Sequence, residues 1–411
     1  MRPKEPSAPT LPIASAVKTC VAVALVISLT LPAQADDAAA ESVHAAFPNE
    51  LEASLVRAIV GLRESGLKRA MGEIDGALAK TPNFLLGYLI KGDLLMARAG
   101  YPVAFGTASA AASARPLQDE ARARLRRYLE APPAQYLPQP LLQIAGYQSH
   151  VILVDTARSR LFVFANEAGR PRYVTDFYIS VGKNGVDKKR EGDQRTPVGV
   201  YRIVSSKAKL PDFYGPGAFP ISYPNEWDRL HGRNGFGIWL HGTPSETYSR
   251  PPHATDGCVV LANDDLNRLA RYVDIGRTPV VISPGVTWLE PARWAQTRAD
   301  FLAAFEQWRT DWESLDTDRY LAHYASGFQA DGKSLADWAA RKRKVNAGKS
   351  WVKVGVANLS LFNVSGDEDL VVVTFDQDYR SNNLSNRTTK RQYWAREGGR
   401  WRVVFETIVP S

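Results

Sequence analysis

The pattern of hydrophobic and polar positions changes twice along the chain, which predicts three structural regions. From residue 41 to about residue 147, apolar positions recur at helical spacing, and Pro82 divides one part of this stretch into two helices. Because a single helical hairpin cannot bury its faces alone, we expect it to pack on another region or on a second copy of the chain. Prolines at positions 132, 133, 138 and 140 then interrupt the helical pattern and predict a linker.

The pattern becomes alternating at His150, which predicts a β-rich middle region. A hairpin is expected with its turn at residues 156–159, followed by strands at 173–181, 199–205, 237–241 and 278–283. Glycine and proline separate these strands, which indicates long loops. Asn263 precedes two aspartates and is therefore predicted to cap a helix that ends near Val273.

A third pattern begins at Ala292 with an aromatic stripe at helical spacing, formed by Phe301, Phe305, Trp308 and Trp312. A second helix at 335–345 and four strands at 351–363, 369–380, 388–396 and 400–408 complete a predicted α+β unit. This unit resembles the cone-shaped fold shared by nuclear transport factor two and the polyketide cyclases. Proteins of that fold have many unrelated functions, so the resemblance indicates no activity.

The first 35 residues have the features of a secretory signal peptide. Basic residues precede an apolar run at 21–31, and a small-x-small sequence ends at Ala35. We therefore expect a periplasmic protein without a membrane span. Removal of this segment also removes Cys20, so that Cys258 becomes the sole cysteine and is expected to be either reactive or buried. The formal charge of +8 is too mild to select a function class.

Cys258 and His241 are the residues with the clearest chemical potential. His241 ends a predicted strand, and Cys258 begins the next one after a long loop. A thiol close to an imidazole suits nucleophilic catalysis, and the backbone amides of Gly257 and Cys258 could face a developing oxyanion. An inert buried cysteine near an unrelated histidine is the alternative.

The wider sequence resembles the L,D-transpeptidase (YkuD-type) catalytic domain over about residues 150–285. Three segments carry the resemblance, Arg195 to Ile203, Phe236 to Thr243 and Thr255 to Leu261. The resemblance implies that Cys258 attacks the carbonyl of the third residue of a peptidoglycan stem peptide and releases the terminal D-Ala. It also implies that His241 is the base and that the Gly242 carbonyl orients the imidazole. An amine or water then resolves the acyl-enzyme.

The cysteine motif departs from the family pattern in one respect. The family usually has Ser-His-Gly-Cys followed soon by Arg or Asn, whereas this chain has Thr255-Asp256-Gly257-Cys258-Val259. A carboxylate beside the thiol opposes thiolate formation unless a cation such as His253 or a loop arginine neutralises it. The nature of the acceptor is therefore left open by the sequence.

The order of the three regions resembles the helical-cell-shape L,D-carboxypeptidases, which use water as acceptor. We accordingly predict a signal peptide at 1–35, a helical region at 36–148 with a tetratricopeptide-like hairpin, a catalytic domain at 149–286 and a cone-shaped α+β domain at 292–411. The predicted activity is that of an L,D-transpeptidase with a role in cell wall organisation and cell shape. An L,D-carboxypeptidase and an inactive peptidoglycan-binding scaffold are the alternatives.

Seven further residues are candidates for substrate binding, namely His231, Arg233, Trp239, Thr243, His253, Thr255 and Asp256. A zinc site built from His241, His253 and Cys258 has irregular spacing and only three ligands, so no metal or other cofactor is predicted. The expected partners are peptidoglycan stem peptides rather than nucleic acid. The helical region could in addition form a homodimer.

Overall fold

The computed structural model describes residues 49–64, 66–101, 114–130, 135–330, 332–364 and 370–409. The predicted signal peptide lies outside these residues. Within them the multidomain fold is confirmed, with a helical N-terminal region, a β-rich middle domain and an α+β C-terminal domain. No helix in the described ranges combines the length and the apolar character that a membrane crossing requires.

The helical region packs against the middle domain rather than standing alone. Its helices are α1 (Glu50–Glu64), α2 (Leu67–Lys80), α3 (Leu85–Arg98) and α4 (Arg115–Leu129). Pro82 lies in the turn between α2 and α3, as predicted. The core of this region includes Leu55, Ile74 and Phe84, and Tyr248 of the middle domain packs against it. This contact supplies the surface that a single hairpin lacks.

The middle domain is built from short strands joined by long loops. The strands are β3 (His150–Asp155), β4 (Arg160–Glu167), β5 (Arg170–Tyr178), β6 (Val181–Gly182), β7 (Gly199–Arg202), β8 (Ala218–Pro220), β9 (Trp239–His241), β10 (His253–Thr255), β11 (Val259–Val260) and β12 (Pro279–Ser283). One sheet has the order β5-β4-β3-β12-β7, and a second has the order β11-β9-β8. Helices α5 (Glu226–Leu230) and α6 (Asn263–Leu269) lie in the connections.

The prediction that Asn263 caps the helix is wrong. Helix α6 begins at Asn263 itself, and its N-cap is Ala262 without a side-chain cap. The Asn263 side-chain oxygen instead accepts a hydrogen bond from the backbone N–H of Thr243, at 2.8 Å. The asparagine therefore links α6 to the loop that follows β9.

The C-terminal domain contains α7 (Pro291–Glu313), α8 (Thr317–Leu321), β14 (Tyr324–Ala330), β15 (Lys333–Ser334), α9 (Leu335–Asn346), β16 (Val352–Val364), β17 (Leu370–Ser381), β18 (Ser385–Glu397) and β19 (Arg400–Val409). Pro291 occupies the first turn of α7, where its missing N–H costs no hydrogen bond. Ser334 and Asp337 form a capping box at the start of α9. The aromatic stripe of α7 is buried in the core between this helix and the sheet.

The proline-rich segment predicted as a linker contains two strands. Strand β1 (Leu137–Pro138) pairs with β13 (Trp288–Leu289), and β2 (Leu141–Gln143) pairs with β16. The C-terminal sheet therefore has seven strands in the order β15-β14-β19-β18-β17-β16-β2. Sequence periodicity did not show this, because the partner of β2 lies about two hundred residues further along the chain.

Candidate active site

Two adjacent parallel strands bring Cys258 and His241 to one face of the small sheet. Strands β9 and β11 pair with Val259 opposite Leu240 and Val260 opposite His241. Side chains alternate between the two faces of a strand, so Trp239, His241 and Cys258 project to the same side. The register thus places Cys258 and His241 on the same face of neighbouring segments of the chain.

His241 is buried and held in one tautomer. Its Nδ1 lies 2.7 Å from the carbonyl oxygen of Gly242. Since a carbonyl can only accept, Nδ1 carries the proton and the Nε2 lone pair is left to accept another proton. Burial lowers the pKa of His241 to about 4, with a further lowering from the charge of Arg250. The imidazole is therefore neutral at neutral pH and can act as a base.

Aromatic rings and a close backbone approach fix the position of the imidazole. The ring of Tyr214 lies 5.1 Å from that of His241, and the ring of Phe213 lies 5.9 Å from it. The Gly242 N–H donates to the carbonyl oxygen of Tyr214 at 3.1 Å. A Cβ atom on Gly242 would lie 2.3 Å from Oδ1 of Asn263, so only glycine fits there.

Cys258 is a free, partly buried thiol. Its Sγ–H donates to the carbonyl oxygen of Gly237 at 3.3 Å. Burial raises the pKa of Cys258, while a backbone hydrogen bond from Trp239 lowers it and the charge of Asp256 raises it further. At neutral pH the resting pair is therefore a neutral thiol and a neutral imidazole, not a thiolate–imidazolium pair.

Lys183 neutralises the carboxylate of the unusual motif. Lys183 Nζ lies 3.0 Å from Oδ1 of Asp256, and Gln194 donates to the same oxygen at 3.0 Å. The sequence predicted His253 or a loop arginine as the neutralising cation, and the charge of the loop residue Arg250 also acts on Asp256. His253 instead lies exposed on β10, where it pairs with Val181 of β6. The carboxylate is also exposed, which weakens its effect on the thiol.

The Gly257 amide does not face an open oxyanion site, contrary to prediction. Its N–H donates to Oγ1 of Thr255 at 3.1 Å, and the Thr255 hydroxyl donates to the carbonyl oxygen of Cys258 at 2.7 Å. This turn keeps the chain tight before the nucleophile. Gly257 has a φ of 126°, and a Cβ there would lie 2.6 Å from the Arg195 carbonyl oxygen, so glycine is required for steric reasons.

Three of the substrate-binding candidates make contacts within the protein instead. Thr243 is fully buried, and its hydroxyl donates to the carbonyl oxygen of Thr247 at 2.6 Å. Arg233 forms ion pairs with two aspartates. His231 packs on Trp227, with ring centroids 4.2 Å apart. Both His231 and Arg233 line a cavity of about 520 Å³ between the middle domain and the C-terminal sheet, and neither His241 nor Cys258 lines it.

Sequence reasoning missed four residues near the candidate pair. Arg250 interacts electrostatically with both His241 and Cys258. Phe213 and Tyr214 surround the imidazole, and Phe236, which is 77% exposed, directly precedes the Gly237 that holds the thiol. An exposed aromatic next to a motif was a detectable signal for Phe236. Nothing in the sequence links Arg250 to the thiol beyond their nearness along the chain.

The residues that the structure describes contain no group of three His, Cys, Asp or Glu side chains placed to share a metal ion.

Comparison with known proteins identifies two domains of the chain. Residues 149–282 match the model of the L,D-transpeptidase catalytic domain. This chain carries an L,D-transpeptidase catalytic domain. Residues 300–407 match the Cds6 C-terminal NTF2-like domain, so the cone-shaped C-terminal fold is confirmed as NTF2-like.

Two solved structures resemble about two thirds of the chain. Bd1075 of Bdellovibrio bacteriovorus is 29% identical, with a TM-score of 0.60, and the match covers 67% of this chain and 99% of that one. The helical cell shape determining protein Pgp2 of Campylobacter jejuni is 26% identical, with a TM-score of 0.56, and the match covers 65% of this chain and 94% of that one.

A curated relative is similar over a shorter segment. The L,D-transpeptidase-family protein YafK of Escherichia coli (strain K12) is 29% identical over 86 residues, which is 21% of this chain. The aligned segment spans 31% of the length of YafK.

Proposed function

We propose that this chain is an exported cysteine acyltransferase that modifies peptidoglycan, an L,D-transpeptidase with a role in cell wall organisation and cell shape. One observation carries the proposal. Within an L,D-transpeptidase domain, the Cys258 thiol and a neutral His241 project from one face of paired parallel strands, and Gly242 fixes the tautomer that leaves Nε2 free to accept a proton.

The acylation step follows from these protonation states. As Cys258 Sγ attacks the carbonyl carbon of the third stem-peptide residue, its proton passes to Nε2 of His241, and an S–C bond forms. The tetrahedral intermediate collapses, the C–N bond to the terminal D-Ala breaks, and His241 returns the proton to the departing amine. The products are a thioester on Cys258 and free D-Ala.

The second step restores the enzyme. An amine or a water molecule attacks the thioester carbonyl, His241 accepts its proton, the S–C bond breaks, and the proton returns to the thiolate of Cys258. An amine acceptor yields a new amide bond and therefore transpeptidation. Water yields a free carboxylate and therefore a trimmed tripeptide.

The water-acceptor reaction of an L,D-carboxypeptidase is the second candidate. Its support is the domain order, which resembles the helical-cell-shape L,D-carboxypeptidases, together with the likeness to Pgp2 over 65% of this chain. Pgp2 is described as a helical cell shape determining protein, and we extend a role in cell shape to this chain on that basis. An inactive peptidoglycan-binding scaffold is the third possibility, which the experiment below separates.

Export and dimer formation remain predictions. Cleavage after Ala35 would deliver the chain to the periplasm, where its peptidoglycan substrate is located. Intact mass of the protein recovered from the periplasm tests this. For the homodimer, the exposed apolar stripe of α3 is the face to test, and it consists of Leu85, Tyr88, Leu95 and Met96. Light scattering of wild type and of a Leu85→Glu, Tyr88→Glu variant decides whether this face associates.

The decisive experiment combines two substrates and one control. Purified protein is incubated with disaccharide-tetrapeptide or with tetrapeptide-rich sacculi, with and without a D-amino acid, and products are analysed by mass spectrometry against Cys258→Ala. Exchange products or new cross-links at the third stem residue support the transpeptidase. Loss of D-Ala alone assigns the carboxypeptidase. If wild type and Cys258→Ala give the same products, the chain is not an enzyme of this class.

A further inference from the structure

Arg250 is a cationic residue beside the candidate nucleophile that the family motif does not account for. Its guanidinium carbon lies 4.7 Å from the centroid of the Phe213 ring, and that ring lies 5.9 Å from the ring of His241. The charge of Arg250 acts on Cys258, His241 and Asp256. Arg250 therefore belongs to the immediate surroundings of the thiol.

The backbone around Arg250 is fixed from the middle domain. The Tyr178 hydroxyl donates to the carbonyl oxygen of Arg250 at 2.9 Å. Ser180 Oγ donates to the carbonyl oxygen of Pro251, and the Val181 N–H donates to that of Pro252 at 2.8 Å. Three consecutive carbonyl groups are thus held by one edge of the domain, which sets the direction in which the arginine leaves the loop.

The helical region holds the preceding part of the same loop. The Ser249 hydroxyl donates to the buried carboxylate of Glu120 on α4. Tyr248 packs edge-on against Phe84 at 5.0 Å, and its hydroxyl accepts from the Asn49 side chain at 3.0 Å. A loop anchored on both sides presents its arginine in a defined place, unlike a long cation on a free surface loop.

Arg250 has no carboxylate within ion-pair distance among the residues that the structure describes, while the neighbouring lysines are already paired. Lys183 binds Asp256 at 3.0 Å, and Lys188 binds Asp193 at 2.8 Å. Arg250 is also partly buried, and it stacks on an aromatic ring rather than extending into solvent. A positioned guanidinium of this kind is suited to bidentate binding of an external carboxylate.

We propose that Arg250 binds the C-terminal carboxylate of the donor stem peptide, the carboxylate of the residue that leaves. This inference rests on the proposed function. In a tetrapeptide the carboxylate carbon is three bonds from the attacked carbonyl carbon, so the two carbons lie within about 4 Å of each other. A cation beside the nucleophile can reach it. The arginine thereby selects donors that end in a free carboxylate one residue beyond the scissile bond.

The first test compares donors with a free and an amidated C-terminus. Wild type is expected to prefer the free tetrapeptide in kcat/KM by about tenfold to a hundredfold, as a charged hydrogen-bonded pair provides. Arg250→Gln should lose this preference, mainly through KM, and Arg250→Lys should keep part of it. Arg172→Gln, which removes an exposed arginine on β5, is the matched control and should behave as wild type. Equal turnover of both donors by wild type overturns the proposal.

The second test needs no peptide and therefore separates failure of this inference from failure of the proposed function. Cys258 is alkylated with iodoacetate, which is an anion, and with iodoacetamide, which is neutral, and the ratio of the two rates is measured. Arg250→Gln should lower the ratio about fivefold, because one positive charge beside the thiol is removed, and Arg172→Gln should leave it unchanged. If Arg250→Gln leaves the ratio unchanged, the guanidinium does not attract anions to the thiol, and the proposal is wrong whether or not any peptide is turned over.

Discussion

The L,D-transpeptidase domain is joined to its two neighbours by different balances of charged and apolar contacts. Towards the helical region, the buried side chains are charged, and Arg124, 2% exposed, lies 3.0 Å from Glu120 and 3.6 Å from Glu52. Arg160 and Asp176 continue this network at 3.3 Å. Towards the NTF2-like domain, the shared core is apolar, and an ion pair between Arg391 and Glu226 at 2.7 Å accompanies it.

The difference indicates two separate tasks. An apolar interface resembles a domain core cut in half and stabilises the assembly through burial of area. Buried ion pairs add little net stability but demand a particular geometry. The charged side is also where Glu120 holds Ser249, directly before Arg250. The helical region thus positions the active-site loop, and the NTF2-like side mainly holds the domains together.

Truncation at the apolar interface should give the largest loss of stability. Phe362 is 2% exposed in the shared core, so Phe362→Ala should lower the free energy of unfolding by about 3 to 5 kcal/mol. Ile408→Ala, at an exposed position on β19, should change it by less than about 0.5 kcal/mol. Denaturant unfolding measures both. A loss below about 1 kcal/mol for Phe362→Ala would contradict the assignment of this interface as a core.

Removal of the buried Arg124 charge alone should lower the free energy of unfolding more than removal of Arg124 and its partner Glu120 together. Arg124→Met leaves Glu120 buried without its cation, while Glu52 keeps Arg160 at 3.0 Å, and the expected cost is about 3 kcal/mol. The double variant Glu120→Gln, Arg124→Met should recover part of this loss in the same unfolding experiment. The double variant should also slow turnover, because Ser249 loses its charged acceptor on Glu120. If the double variant were less stable than Arg124→Met, the unpaired charge of Glu120 would not be the cause of the loss.

Asp265, which is buried where the middle domain meets the helical region, should make the stability of the protein depend on pH. Burial raises the pKa of Asp265 to about 7, and Asn49 donates to its side chain at 3.1 Å. Because the pKa of Asp265 is higher in the folded state, the protonated carboxyl contributes fully to folding stability below the unfolded-state pKa near 4. This contribution is lost as the pH rises through 7. Asp265→Asn should therefore match wild type at pH 4 and exceed it at pH 8, by on the order of 2 kcal/mol. An equal difference at both pH values would refute the shift.

The smallest effect is expected at the exposed carboxylate of the cysteine motif. Asp256 raises the pKa of Cys258 but is exposed and paired with Lys183. Asp256→Asn should therefore increase the rate of thiol alkylation at pH 7 by only about twofold to fivefold, since exposed charges interact weakly. Lys183→Gln should change the rate in the opposite direction. A change of a hundredfold for Asp256→Asn would mean that the carboxylate controls the thiol.

Sequence patterns predicted those features that depend on neighbours along the chain. Local alternation and the motif predicted the strand that ends at His241, the strand that directly follows Cys258 and the Gly242 contact of the imidazole. The place of β2 in the C-terminal sheet was not predictable, because it depends on pairing with β16 across the whole catalytic domain.

Two site features were missed for a related reason. Lys183 meets Asp256 through the pairing of β6 with β10. The loop of Arg250 is held by Tyr178 of β5 and, through Ser249, by the helical region, and these partners are distant along the chain. The hydrogen bond of the Gly257 amide to Thr255 is set by turn geometry, which composition does not reveal.

The most direct measurement is capture of the acyl-enzyme. Wild type, Cys258→Ala and His241→Ala are mixed with tetrapeptide, quenched in acid after short times and analysed by intact and peptide mass spectrometry. We expect the mass of the stem peptide without its D-Ala on the peptide that contains Cys258 in wild type. Cys258→Ala should show no adduct, and His241→Ala should form it at least a hundredfold more slowly, about the scale of a lost general base. Release of D-Ala without any adduct, or an adduct on another residue, would contradict the assignment of Cys258 as the nucleophile.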